Sequence, residues 1–127
     1  MSALPKRVLL VEDDDNLVEM AEMAFKGEGI ELLVARNGAE GVERASADKP
    51  DLILMDVVMP EMNGYEAAKT IRKKSMTKNI PIFFLTAKGL EPDIKEGKET
   101  GADLYLVKPF SPFELMDLIR NFFESRA

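Results

Sequence analysis

The sequence contains no histidine and no cysteine. The first absence removes histidine zinc sites, Ser-His and Cys-His nucleophile pairs, and any imidazole proton shuttle. The second removes disulfides and thiolate chemistry, which fits an expected cytoplasmic location. No apolar run approaches the length needed to cross a bilayer, and the start Met1-Ser2-Ala3-Leu4-Pro5 is not a signal peptide, so no membrane role is expected. Positive charge is also scarce: 17 Lys and Arg stand against 23 Asp and Glu, a net charge of −6. Nucleic-acid binders present a basic face, so direct nucleic-acid binding by this domain is not expected. Internal repeats, low-complexity tracts and linkers are missing as well.

What remains is a chain of 127 residues, 46% apolar and 31% charged, ordinary for one globular domain spanning 1–127 with one core. Strand and helix patterns alternate throughout. Five short apolar runs read as strands, roughly Lys6 to Val11, Glu31 to Ala35, Asp51 to Asp56, Ile80 to Thr86 and Asp103 to Val107. Continuous apolar runs rather than alternating ones predict a parallel sheet buried on both faces, an α/β architecture.

Five helices fill the gaps. Asn16 with Glu19 predicts a capping box for the first, with Leu17, Met20, Ala21 and Ala24 facing inward and Gly27 or Gly29 as the stop. Gly38 opens the second, with Ala39, Val42 and Ala45 on its inner side. Asn63 with Glu66 starts the third, which runs to about Lys74. The fourth, between Leu90 and Thr100, has only Leu90 and Ile94 as strong apolar residues and is expected to be the loosest, since packing more than propensity holds helices. Ser111-Pro112-Phe113-Glu114 combines a hydroxyl cap, a first-turn proline and a boxed glutamate, and Leu115, Leu118, Ile119 and Phe122 form the last helix's apolar face.

Acidic, hydroxyl and basic residues sit where four of the apolar runs end: Glu12-Asp13, Asp56, Thr86, and Lys108-Pro109. In an open parallel sheet those ends share one edge, where ligands bind. Strand-end acids are also common helix caps, and Asp14 or Asp15 is read that way. The set as a whole is harder to explain by capping. Asp13 and Asp56 at about 4 Å would repel by about 4 kcal/mol at an effective dielectric of about 20. A hard divalent cation removes that repulsion, and Mg²⁺ favours one or two carboxylates with waters and phosphate oxygens. Asp56 is then the candidate nucleophile toward a phosphoryl group, with Lys108 and the Thr86 hydroxyl stabilising the developing charge.

These residues resemble a response-regulator receiver domain, the phospho-accepting half of two-component signalling. The resemblance spans Arg7 to Phe123. It rests on Val11-Glu12-Asp13-Asp14, on Asp56 within Leu54-Met55-Asp56-Val57-Val58-Met59-Pro60-Glu61-Met62-Asn63-Gly64, on Thr86-Ala87, and on Lys108-Pro109-Phe110. It implies a flavodoxin-like, doubly wound three-layer sandwich of five parallel strands in order 2-1-3-4-5 with five helices. It also implies that Asp56 accepts a phosphoryl group from the phosphohistidine of a sensor histidine kinase or phosphotransfer protein, a histidine this chain does not itself supply. Asp13, Asp56 and the backbone carbonyl of Val58 would ligate Mg²⁺ (with Mn²⁺ as a substitute), and Glu12, where many relatives carry Asp, would support the ion through water.

By the same resemblance, Lys108 pairs with the phosphoryl group before a cis peptide to Pro109. Thr86 and Tyr105 match a switch pair, although Tyr105 also reads as a plain buried aromatic. Val58 and Lys88 flank the pocket at positions that influence how long the phosphate lasts. Phosphorylation would shift the Leu90 to Thr100 helix, the fifth strand and the last helix between two arrangements, changing the surface offered to an effector protein or domain. The chain would be a monomer or a weak phosphorylation-dependent dimer, and no enzyme beyond its own phosphorylation and dephosphorylation.

Three rivals stay open at this point. A haloacid-dehalogenase-like phosphatase also uses strand-end aspartates but needs a longer chain and a further acidic pair where Lys108-Pro109 stands. A flavin module needs a hydroxyl- and glycine-rich loop where four acids stand. A receiver-like module that only binds partners has no need of Asp13, Asp56, Thr86 and Lys108 together. No effector segment follows Ala127, which leaves a stand-alone regulator and a piece of a larger one both open.

Overall fold

The computed structural model describes residues 4–59, 63–87 and 101–126. Its strands are β1 (Arg7–Val11), β2 (Glu31–Ala35), β3 (Leu52–Asp56), β4 (Ile82–Ala87) and β5 (Leu104–Lys108). They pair in parallel in the order β2-β1-β3-β4-β5, as expected. The helices are α1 (Asp15–Gly27), α2 (Gly38–Asp48), α3 (Gly64–Lys73) and α4 (Pro112–Arg126). The expected helix between Leu90 and Thr100 lies outside the described residues.

Side-chain alternation along the strands divides the interior in two. Val8 and Leu10 of β1 join Leu54 and Leu85 beneath α1 and α4, with Val18, Phe25, Leu115 and Ile119 from those helices. Leu9 and Val11 join Ile53, Met55 and Phe84 on the opposite face, under Ala45 of α2 and Ala67, Ala68 and Ile71 of α3. The central strands β1, β3 and β4 are therefore apolar on both faces. The edge strand β5 is half-buried along its whole length.

Several local expectations need correction. The cap of α1 is Asp14, one of the two acids also read as caps, whose side chain accepts from the Asn16 backbone at 2.9 Å, and the capping box expected at Asn16 does not form the start of the helix. A carboxylate two residues earlier also complements the helix N-terminus, which a neutral amide does not. The buried line of α1 is Val18, Ala21 and Phe25, with Leu17, Met20 and Ala24 only partly covered. In α2 the cap is Asn37, Ala39 is exposed, and Gly41 packs so tightly that a Cβ there would meet Val11 Cγ2 at 2.8 Å. The other two caps follow the sequence. Asn63 accepts from Glu66 at 3.0 Å, and Ser111 and Glu114 exchange reciprocal bonds of 3.1 Å.

One side chain ties the far edge of the sheet together. The Arg72 guanidinium donates to the carbonyls of Gly101 (2.8 Å), Lys78 (2.8 Å) and Ile80 (2.5 Å) and pairs with Asp103 at 3.0 Å. Asp103 in turn accepts from the Ile82 backbone at 2.9 Å. The planar fork of arginine satisfies several carbonyls at once, and so fixes the entries to β4 and β5 against the end of α3.

Candidate functional site

β1, β3, β4 and β5 all deliver polar residues to their C-terminal ends. Asp56 closes β3 and is only 6% exposed. The ladder runs one residue beyond it, because the Val57 backbone donates to the Leu85 carbonyl at 3.1 Å. The start of α3 lies directly behind this strand end. Gly64 donates to the Val57 carbonyl at 2.9 Å, and a Cβ on Gly64 would press into the Asp56 carbonyl and meet Val57 Cα at 3.0 Å. Only glycine allows α3 to sit this close behind the acid.

Glu12 follows β1 and is fully buried. One of its oxygens accepts from the backbones of Asp13 (3.1 Å) and Asp14 (3.3 Å). The other accepts from Lys108 Nζ at 2.9 Å, and the same ammonium lies 3.3 Å from Asp56 Oδ1. Lys108 thus reaches from β5 across the end of β4 to bridge two acids. Burial, with added repulsion from Asp56 and only partial relief from Lys108, pushes the Glu12 carboxyl up to about 7. Burial pulls the Lys108 ammonium down, but hydrogen bonds and charge from Glu12 and Asp56 outweigh it and hold its pKa above the ordinary lysine value.

Asp13 is exposed, and one oxygen from each of Glu12, Asp13 and Asp56 lies within 4.8 Å of the others. At that spacing a pair of carboxylates repels by about 3 kcal/mol at an effective dielectric of about 20, and one ammonium cannot neutralise three acids. An all-oxygen donor set of this kind fits a hard divalent cation. Glu12 is the exception within it, because both its oxygens are already engaged by the protein. That leaves Asp13, and Asp56 beyond the one oxygen that meets Lys108 and the Val58 N–H, as the carboxylates to face an ion.

Thr86 is buried on β4, one register step beyond Leu85, the strand neighbour of Asp56. Tyr105 pairs with Phe84, two residues before Thr86, so it lies behind Thr86 on the same face of the sheet. Its half-buried ring packs 5.6 Å from Phe84, which meets Tyr65 edge-on at 4.9 Å. Val58 is 68% exposed, and its backbone N–H approaches Asp56 Oδ1 at 3.4 Å. The Lys108-Pro109 peptide is cis, as expected. Lys88 lies outside the described residues. Sequence reasoning missed the Glu12–Lys108 pair, whose signal was the extra methylene of glutamate over aspartate, and the close approach at Gly64, signalled by Asn63-Gly64 at a helix start.

The family model for the response regulator receiver domain matches residues 8–120. The chain belongs to this family. Among curated relatives, the receiver is 38% identical over 120 residues to the DNA-binding response regulator MtrA of Mycolicibacterium smegmatis, covering 94% of this chain and 51% of MtrA. It therefore spans about half the length of the curated relatives it matches. Among solved structures it resembles the chemotaxis response regulator CheY4 of Vibrio cholerae, with a TM-score of 0.84 at 35% identity over 91% of this chain and 96% of that one. The receiver domain of the sensor histidine kinase PA1611 from Pseudomonas aeruginosa gives a TM-score of 0.83 at 30% identity, covering 94% and 98% of the two chains. That structure holds a magnesium ion in its active-site cleft. The described part of the present chain has no helix long and apolar enough to cross a membrane.

Proposed function

We propose that the whole chain 1–127 is one receiver whose Asp56 accepts a phosphoryl group from the phosphohistidine of a sensor kinase or phosphotransfer protein. The observation that carries this reading is the meeting of Glu12, Asp13 and Asp56 within 4.8 Å, with Lys108 Nζ 3.3 Å from Asp56. In the transfer, an Asp56 carboxylate oxygen attacks phosphorus, the P–O bond forms as the P–N bond to the donor's imidazole breaks, and the imidazole leaves with the electron pair. When bound, Mg²⁺ (or Mn²⁺ in its place) supplies positive charge to the phosphoryl oxygens in flight. Asp13, Asp56 and the Val58 carbonyl hold that ion, while Glu12 keeps Lys108 aimed at the acceptor. Lys108 and the Thr86 hydroxyl then each take one oxygen of the phosphorylated product. Such transfers need positioning and charge stabilisation more than proton chemistry, which suits a site without histidine.

A cleft of about 310 Å³ lined by Asp14, Asn16, Leu17, Met20, Lys108, Pro109 and Phe110 opens beside Asp56's partners and offers a donor protein an apolar wall. Movement of Thr86 toward the phosphoryl group would leave space for Tyr105 behind it and so signal to β5, α4 and an effector. Val58 and Lys88 tune the phosphate lifetime in this reading. The protein acts in the cytoplasm as a monomer or weak phosphorylation-dependent dimer, and its only chemistry is on itself. Intact-mass measurement after mixing with Mg²⁺ and acetyl phosphate tests the reading. One phosphoryl group should add to the wild type and none to Asp56→Asn. Continuous release of phosphate from small esters, or equal labelling of both proteins, would overturn it.

A further inference from the structure

One segment at the N-terminal edge of the sheet, opposite Asp56, carries the reverse charge: the end of α3 and the link into β4. Between Ala67 and Ala87 the sequence holds Lys69, Arg72, Lys73, Lys74 and Lys78 and no acid, in a chain of net charge −6. Arg72 is consumed by internal carbonyls and Asp103. The four lysines are exposed, and none pairs with an acid among the described residues. Lys74 reaches only the Ser46 hydroxyl, at 3.2 Å. Lys49, also exposed, adjoins this edge through Pro50.

An apolar feature sits among these charges. Met76 is 64% exposed and borders a shallow cavity of about 280 Å³ walled by Pro50, Ile80 and Pro81 together with Asp51, Ser75 and Asn79; the Asp51 carboxylate already accepts from the Lys6 and Arg7 backbones at 3.0 Å. The helix dipole accounts for Arg72 and Lys73 in the last turn of α3. It accounts neither for Lys78, beyond the helix, nor for an exposed methionine beside a hollow walled in part by Pro50, Ile80 and Pro81. Unpaired like charges around one apolar residue describe a surface shaped for a partner that brings acids and one hydrophobic side chain.

We propose that this edge docks an acidic protein segment, which seats a single apolar side chain beside Met76 and sets its carboxylates against Lys73, Lys74 and Lys78. A polypeptide fits better than a polynucleotide or an anionic bilayer. Screening confines attraction to about 8 Å at physiological salt, so a short segment meets chiefly the lysines, with Asp51 the one acid on the wall of the hollow. An extended polyanion or a membrane would also meet the acidic remainder of the chain, and a phosphate backbone brings no apolar group to set against Met76, Ile80 and Pro81.

The test is fluorescence anisotropy with a labelled synthetic peptide of Glu and Asp containing one leucine, titrated with the full chain. Combined Lys73→Glu, Lys74→Glu and Lys78→Glu substitutions should weaken binding at least tenfold, since three attractive contacts become repulsive ones. Met76→Ala, or leucine to serine in the peptide, should weaken it about fivefold. Acetyl-phosphate labelling of Asp56 should be unchanged in these variants. Loss of that labelling in the wild type would therefore overturn the proposed function without touching this one. Unchanged peptide affinity in the lysine variant would overturn the docking proposal. So would tighter binding of oligothymidylate or phosphatidylserine vesicles, or self-association in sedimentation that the lysine variant abolishes.

Discussion

Replacing Asp13 with Asn should make the ion-free protein more stable while removing most of its response to magnesium. The oxygens of Glu12, Asp13 and Asp56 lie within 4.8 Å of one another. Each pair then repels by about 3 kcal/mol at an effective dielectric of about 20. Asp13 is exposed, so solvent screening reduces its share to about 1 kcal/mol. Asn is nearly the same size, and removing that repulsion should raise the melting temperature in EDTA by about 4 °C for a domain of this length. Magnesium reverses the order. An ion at ten times its Kd stabilises by about 1.4 kcal/mol, and the variant, lacking one of two available carboxylates, should gain little of this. Thermal melts of both proteins in EDTA and in millimolar Mg²⁺ give the answer. A variant that melts lower than wild type in EDTA, or that gains as much from magnesium, would refute the reasoning.

Two further outcomes follow from the same geometry. The buried Glu12 carboxyl, raised from 4.5 to about 7, holds its proton more tightly in the folded chain than in the unfolded one. Its contribution to ion-free stability therefore falls as pH rises from about 4.5 through about 7, by up to about 3 kcal/mol, and Glu12→Gln should flatten that slope in urea unfolding performed with EDTA. An equal slope in both proteins would count against a buried, perturbed Glu12. Gly64→Ala should cost about 1–3 kcal/mol through overpacking against the Asp56 and Val57 backbone, and should weaken magnesium binding by displacing the turn after β3. Calorimetric titration giving wild-type affinity and stability would contradict the close approach.

The strands were legible because each is a short apolar run bounded by turn residues, and a buried parallel strand needs no other signal. β2 has the expected limits, and the other four begin or end within two residues of them. Asp13, Asp56, Thr86 and Lys108 were legible for a related reason: each stands where such a run ends, and the parallel fold brings those ends to one edge. What escaped was set by contacts between distant segments. The inner line of α1 through Val18 and Phe25 depends on how the helix rolls onto β1 and β3, which periodicity alone does not decide. The Arg72 network and the Glu12–Lys108 pair join residues 31 and 96 positions apart, beyond the reach of local pattern. Both Asp14 and Asn16 read as caps of α1, a two-residue ambiguity among four consecutive polar candidates that local pattern does not resolve.

The central claim is spatial, that an ion-binding cradle forms around Asp56 from separated stretches of chain. Mn²⁺, placed where Mg²⁺ binds, broadens the NMR signals of nearby nuclei, so a titration of isotope-labelled protein locates the ion directly. The account predicts early loss of the backbone signals of Asp13, Asp56 and Val58 together with the side chain of Lys108, while Met76 and Gly101 at the far edge stay sharp. Broadening centred instead on other acids, such as Glu40 and Glu43 of α2, with Asp56 untouched, would contradict it.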